Sequence, residues 1–356
     1  MDTGKTKNRT CRTTAPVPPD PAMPQRVGPV LSTTPLRSTF LCLCSVIAGA
    51  LVAVFAPAAA FPAGAPVWET RAGHMVLEAV SDSGSVYAAT QSGLIQRFGL
   101  DKGRNLGELL RTSASDPASF PPAVNSLDIS PSGKLLAAIT STGQMLVFSL
   151  PGGAVLADTY LRDPGVPPVI RFADENRVLV GFMNGSIALL DWKSGHEHYR
   201  RQIDYAPVTN IRLAPGGGRV AATFRSTRIR LLDLSDGSVS SELVGHTEAV
   251  YALVFMGPDI LVSGGWDGRV IRWELPLGKP EVLLKDNTYV YALAWDGQGK
   301  LAAPLAGYRI GIISLKGGTP RSELVGHKAF ITALHFLPGR GLLSAGSDAR
   351  IILHEL

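Results

Sequence analysis

Short runs in which apolar and polar residues alternate recur down this chain at a nearly constant interval. Seven of them close alike: SGLIQRFGL from Ser92, TGQMLVFSL from Thr142, NGSIALLDW from Asn184, STRIRLLDL from Ser226, DGRVIRWEL from Asp267, GYRIGIISL from Gly307 and DARIILHEL from Asp348. A period of two sends successive side chains to opposite faces, so each run predicts a β-strand with one buried side. The small or polar residues ahead of each run predict a tight turn leading into it. The second residues of these windows are Gly93, Gly143, Gly185, Thr227, Gly268, Tyr308 and Ala349, separated by 50, 42, 42, 41, 40 and 41 residues. Only the first interval is irregular. It holds an extra stretch, TSASDPASFPP, at 112–122.

The fullest unit is SELVGHTEAVYALVFMGPDILVSGGWDGRVIRWEL, residues 241–275, and its opening returns at Ser322 as SELVGHKAFITAL. A repeat of about 40 residues read as four short strands is the mark of a β-propeller blade. These motifs resemble the WD-repeat family, and the resemblance covers about residues 66–356. The expected fold is all-β, a seven-bladed propeller over 61–356. The chain stops at the end of a third strand, so the last blade lacks an outer strand of its own. Pro66-Val67-Trp68-Glu69-Thr70 precedes Gly73-His74 as SELV precedes Gly245-His246. This N-terminal segment, with Trp68 in it, is therefore expected to pair with the last blade and close the ring.

The resemblance also implies roles for particular residues. Family blades are pinned by a hydrogen-bonded set of His, Ser/Thr, Asp and Trp, matched in blade five by His246, Ser263, Asp267 and Trp273. Blade seven matches with His327, Ser344 and Asp348, but His354 stands in the tryptophan place. Phe98, Phe148, Leu190, Leu232 and Ile313 stand there in the other blades. Partner contacts in the family gather on the face formed by the outer-to-inner loops and the turns between second and third strands. Carried onto this chain, those positions are Tyr251, Trp266, Tyr289, Tyr291, Phe330 and Thr332. Aromatic side chains give large contact area at low entropic cost, so a protein partner is expected there. The 112–122 insertion falls in a loop on the same face.

Charge changes the picture less than the totals suggest. The formal net charge is +5, but residues 1–60 hold six Lys/Arg against Asp2 and Asp20. The remaining 28 basic and 27 acidic residues leave +1, which is not the footprint of a nucleic-acid binder. Residues 1–37, rich in Pro, Thr and Arg, read as a disordered leader. Within 38–60 an apolar run at 40–56 leads to Ala58-Ala59-Ala60, the pattern of a secretory signal with cleavage after Ala60. Export to a periplasm or secretion is the expected location. The alternative is a membrane anchor through 40–60, long enough to span a bilayer. Cys11, Cys42 and Cys44 are the only cysteines, so the body forms no disulfide and no Cys-ligated metal site.

Catalytic signatures are absent: no G-x-S-x-G, H-E-x-x-H, P-loop or dinucleotide turn occurs. His196-Glu197-His198 reads as a solvated turn before a metal site, and Arg228 and Arg230 read as one exposed strand face. The expected function is a non-catalytic scaffold for protein–protein interaction, with no cofactor and no metal. The alternative is a propeller enzyme, or a respiratory or c-type cytochrome-associated accessory protein, using the central channel. For that reading the inner strands offer Glu78, Asp128, Arg212 and His335.

Overall fold

A computed structural model describes residues 66–114, 119–161, 168–275, 279–315 and 320–356. The leader, the apolar segment with its cleavage site, and residues 115–118 of the insertion lie outside the described residues. The described chain forms seven four-stranded antiparallel sheets. Six are built from consecutive strands, covering 76–111, 124–160, 169–202, 208–244, 250–285 and 294–324. Each inner strand touches the inner strands of both neighbours, and that of blade seven (Ile331–Leu337) touches that of blade one (Val76–Ser81). The ring is closed. No helix among the described residues is long and apolar enough to cross a membrane.

Blade seven takes its outer strand from the other end of the chain, as the sequence predicts. Pro66–Arg71 runs antiparallel to Arg350–His354, with Trp68 opposite Leu353 and Arg71 opposite Arg350. A shift in register between Pro66 and Trp68 turns the indole inward. Trp68 is 8% exposed, and its Nε1–H donates to the Leu100 carbonyl of blade one at 3.0 Å. Gly103 has φ +62°, and a Cβ there would lie 2.4 Å from the ring, so the turn accepts Trp68 only because it carries no side chain. Arg350 reaches Glu69 at 3.2 Å, and Arg340 of blade seven reaches Asp101 of blade one at 2.7 Å.

Stability comes from between the blades. Seven apolar cores each join two adjacent sheets; one holds Trp68, Val76 and Phe98 with Leu343 and Leu353, sealing blade seven to blade one. Alternation puts Ile229 and Leu231 in such a core and Arg228 and Arg230 on the other face, where both pair with Glu242; Arg228 is half exposed as expected, but Arg230 is largely buried and also reaches Asp204 at 3.6 Å.

Blade six departs from the pattern. Its inner strand pairs regularly only over Ala294–Trp295, although its second strand runs the full Lys300–Leu305. Pro304 lies within that second strand, opposite Ile310 of the third. Proline has no N–H to give a ladder, and it is rarely tolerated in the middle of a sheet. The segment from Tyr289 to Leu293 is left out of regular pairing and sits at the channel mouth.

Candidate functional site

Blade five forms the hydrogen-bonded set in full. His246 faces both oxygens of Asp267 through Nδ1 at 3.0 Å and Ser263 Oγ through Nε2 at 2.7 Å. Trp273 Nε1–H donates to the same Ser263 Oγ at 2.8 Å. Burial by itself raises the pKa of Asp267, but the bond from His246 and the N–H groups of Thr247 and Arg269 hold it below its ordinary value. The set satisfies every polar group it buries, which makes it a clasp between the outer-to-inner loop and the second and third strands.

In blade seven the same clasp carries a histidine at its end. His327 meets Asp348 at 3.0 Å and Ser344 at 2.8 Å, and His354 Nε2 meets Ser344 Oγ at 2.8 Å. His354 is fully buried and its Nδ1 has no partner. Burial, then the neighbouring His327, push it down to about 4. A histidine whose folded pKa is depressed adds stability above its unfolded value near 6.5, and that stability is lost as pH falls. At pH 5 the loss is about 2 kcal/mol, at ~1.4 kcal/mol per unit. Chemical denaturation at pH 7 and pH 5 is expected to show a loss in His354→Trp that is smaller than the wild type's by about 2 kcal/mol, the buried His335 contributing alike to both proteins. Equal losses in the two proteins would mean His354 is not the titrating group.

The aromatic positions named from sequence do come together. Tyr251 stacks on Trp266 with centroids 5.0 Å apart and an interplanar angle of 13°. Trp266 meets Tyr289 at 5.4 Å, Tyr251 meets Tyr291 at 5.4 Å, and Phe330 lies 5.6 Å from Tyr289 and 5.8 Å from Tyr291. The five rings make one continuous surface across blades five to seven. Tyr289 and Phe330 are about two-fifths exposed, and the other three are half-buried. Thr332 is placed differently. It lines the channel wall, and its hydroxyl donates to the Val76 carbonyl at 2.9 Å, so it is bound into the joint between blades seven and one.

Sequence reasoning treated Tyr308 only as a turn residue. Its ring lies 5.9 Å from Phe330, nearly perpendicular, and is 40% exposed, which makes it the sixth member. It sits at φ +60°, where four of the equivalent turns have glycine. A side chain in that conformation costs about 1–2 kcal/mol. The signal was legible: a tyrosine where the turn asks for glycine, strained in place at the edge of an aromatic cluster. Tyr308→Gly is expected to leave thermal stability unchanged or higher while weakening whatever binds these rings. A clear fall in melting temperature would show instead that Tyr308 supports the fold. Two further aromatics, Phe120 at 94% and Tyr205 at 92% exposure, tip outer-to-inner loops, which the topology puts on the same face.

The cluster stands beside the channel mouth. Tyr251, Tyr291 and Phe330 wall a cavity of about 300 Å³ whose other side is Met75, Asn125 and Pro168. A second cavity, of about 250 Å³, adjoins it and shares Glu78, Asn210, Tyr291 and Thr332 with it. The structure brings Glu78, Asp128, Arg212 and His335 around the channel and adds Arg171, which the sequence reading missed. Arg171 clasps Glu78 at 2.7 Å. His335 donates Nε2–H to the Ala79 carbonyl at 2.6 Å, and burial holds its pKa below the ordinary histidine value. His196 and His198 lie in the open with rings 5.1 Å apart, and Glu197 is turned to Arg200. Among the described residues no three His, Cys, Asp or Glu side chains are grouped to hold a metal.

The fold and its two clasps define a seven-bladed β-propeller built on a repeat. Residues 237–274 and 318–355, which carry those clasps, match the family described as WD domain, G-beta repeat, and this supports a WD40 β-propeller. The chain is 29% identical over 176 residues to the THO complex subunit 6 homolog of Rattus norvegicus, covering 43% of this chain and 51% of that protein. It is 28% identical over 249 residues to Telomerase protein component 1 of Rattus norvegicus, covering 66% of this chain and 9% of that one. It is 26% identical over 168 residues to Periodic tryptophan protein 2 of Arabidopsis thaliana, covering 46% and 19%. The chain thus spans at most about half the length of these relatives. All three are eukaryotic, and the likeness to them is one of the repeat. A chain from "Crystal Structure of Mitotic Checkpoint Complex" superposes with TM-score 0.73 at 16% identity, covering 88% of this chain and 99% of that one. That is a likeness of fold.

Proposed function

We propose that this chain is a non-catalytic scaffold that captures a protein partner on the aromatic face of blades five to seven, outside the cytoplasmic membrane. The observation that carries the reading is the continuity of six rings on one face. A stabilising core would hide those rings, yet three of them are about 40% exposed and one is held in a strained turn. Exposed aromatic clusters of this kind mark interaction sites, and their central members carry most of the binding energy. Relatives named as a THO complex subunit and a telomerase protein component are consistent with a propeller that works inside assemblies.

Replacing both Trp266 and Tyr291 with alanine is expected to reduce partner capture at least tenfold, because interface anchors of this type contribute ~2 kcal/mol or more. The wild type and the variant are compared in pull-downs from the native extract, each with its thermal melt. Unchanged capture by a folded variant would sink the reading. The location rests on the leader. Signal cleavage after Ala60 leaves Pro66–Arg71 free to close the ring, so sequencing of the mature N-terminus is expected to begin at Phe61. An intact leader in the membrane fraction would favour the anchor through 40–60 instead.

A further inference from the structure

The second channel cavity contains a cation with no acid to pair with it. The register puts Asp128, Arg171, Arg212 and His335 at one level of the inner ring, with Val254 and Ala294 at the same level in blades five and six. The two small residues leave a gap beside the four polar ones. Both carboxylates nearby are already engaged. Glu78 holds Arg171 and accepts Ser126 Oγ–H at 2.8 Å and the Leu127 N–H at 3.0 Å, while Asp128 accepts the Phe172 N–H at 2.7 Å.

Arg212 donates one N–H to the Ile211 carbonyl at 3.1 Å, and among the described residues no carboxylate lies within 4.0 Å of it. Burial, then Arg171, push its guanidinium down to about 10, with Glu78 and Asp128 offsetting part of that shift from beyond ion-pair distance. Asn210 lines the same cavity and is 8% exposed. Its Nδ2 donates to the Tyr251 carbonyl at 2.8 Å, which fixes the amide orientation, and its Oδ1 receives no hydrogen bond. A half-buried cation with no carboxylate in ion-pair reach and a buried acceptor with no donor face one space of about 250 Å³ whose wall also includes Glu78, Ala252, Ala292 and Ala333.

We propose that this cavity binds a small hydroxycarboxylate, with its carboxylate on Arg212, its hydroxyl donating to Asn210 Oδ1, and its short carbon body against the alanines. Such a molecule meets both unmatched groups at once. It enters through the adjoining cavity at the aromatic mouth, and the site stands independently of any partner on the rings.

Titration calorimetry of the purified protein at pH 7 and constant ionic strength, with 3-hydroxybutyrate, butyrate and sulfate as probes, tests this. Saturable binding of 3-hydroxybutyrate is expected, with butyrate several-fold weaker and sulfate not saturating. Arg212→Gln is expected to weaken 3-hydroxybutyrate at least tenfold. Should that variant fail to fold, Val254→Phe fills the cavity with Arg212 in place and is expected to abolish binding. No saturable uptake by the wild type, or unchanged affinity in a folded variant, overturns the site. Sulfate binding as tight as 3-hydroxybutyrate overturns the carboxylate assignment, and equal affinity for butyrate overturns the part played by Asn210.

Discussion

Replacing Trp68 with alanine is expected to lower the stability of the ring by about 3–5 kcal/mol, the usual cost of truncating a large buried aromatic. Three losses coincide at this residue. The indole leaves the core between blades seven and one, the Leu100 carbonyl loses its 3.0 Å donor, and the ring no longer covers Gly103. In a chain of this size, that energy corresponds to a fall of about 10 °C or more in the melting temperature. The measurement is a thermal or urea melt of Trp68→Ala beside the wild type. The position matters more than the side chain's size suggests, because Pro66–Arg71 is, among the described residues, the segment that covers the edge of Arg350–His354. An unpaired edge there exposes a row of N–H and C=O groups to any other strand. The variant is therefore also expected to aggregate on partial unfolding. A melt within 2 °C of the wild type, by the same ~2–4 °C per kcal/mol scaling, would show that ring closure depends little on this strand.

The ring was legible in the chain because its logic is local. Seven windows with the same alternation and a turn residue ahead of each fix blade count, and the segment before Gly73-His74 announces itself as an outer strand by its likeness to the one before Gly245-His246. The clasp in blade five was legible for the same reason, since His246, Ser263, Asp267 and Trp273 lie within one repeat. The aromatic face was legible in part. Tyr251, Trp266, Tyr289, Tyr291 and Phe330 occupy repeat positions whose direction follows from the register, whereas Tyr308 was hidden behind its role in a turn. The channel was not legible. Arg171 and Glu78 are 93 positions apart and meet only because ring closure brings the inner strands of blades one and three to the same stretch of channel wall, with Ser126 of blade two bonded to both. No periodicity within one blade announces a contact of that kind. Nor does alternation foresee that most of blade six's inner strand lies outside its ladder, in the segment that carries Tyr289 and Tyr291.

The contact between blades one and three has a consequence as large as that of Trp68. Arg171→Met is expected to destabilise the protein by about 3–5 kcal/mol at pH 8, because it strands a buried carboxylate. Glu78 meets Arg171 through both of its oxygens, at 2.7 and 3.3 Å, and the arginine is 6% exposed. Burial alone raises the pKa of Glu78; Arg171 first, then Arg212 and the bonds from Leu127 and Ser126, bring it below the ordinary value. A carboxylate with a depressed folded pKa contributes stability above its unfolded pKa, near 4.3, and loses it as pH falls through the folded value. The wild type is thus insensitive to this group between pH 5 and pH 8. With Arg171 gone the balance reverses: burial dominates, Glu78 holds its proton to higher pH, and each step upward in pH costs the folded state more. The deficit of Arg171→Met relative to wild type is therefore expected to grow from pH 5 to pH 8. Arg171→Met combined with Glu78→Gln should recover most of it, since removing both charges leaves no ion to solvate. Denaturant melts of the three proteins at the two pH values decide the matter. A deficit that stayed constant with pH, or a double variant no better than the single one, would mean that Glu78 carries no buried charge. The polar side of the channel would then be held in shape by apolar packing between the blades rather than by the ion pair that joins blades one and three.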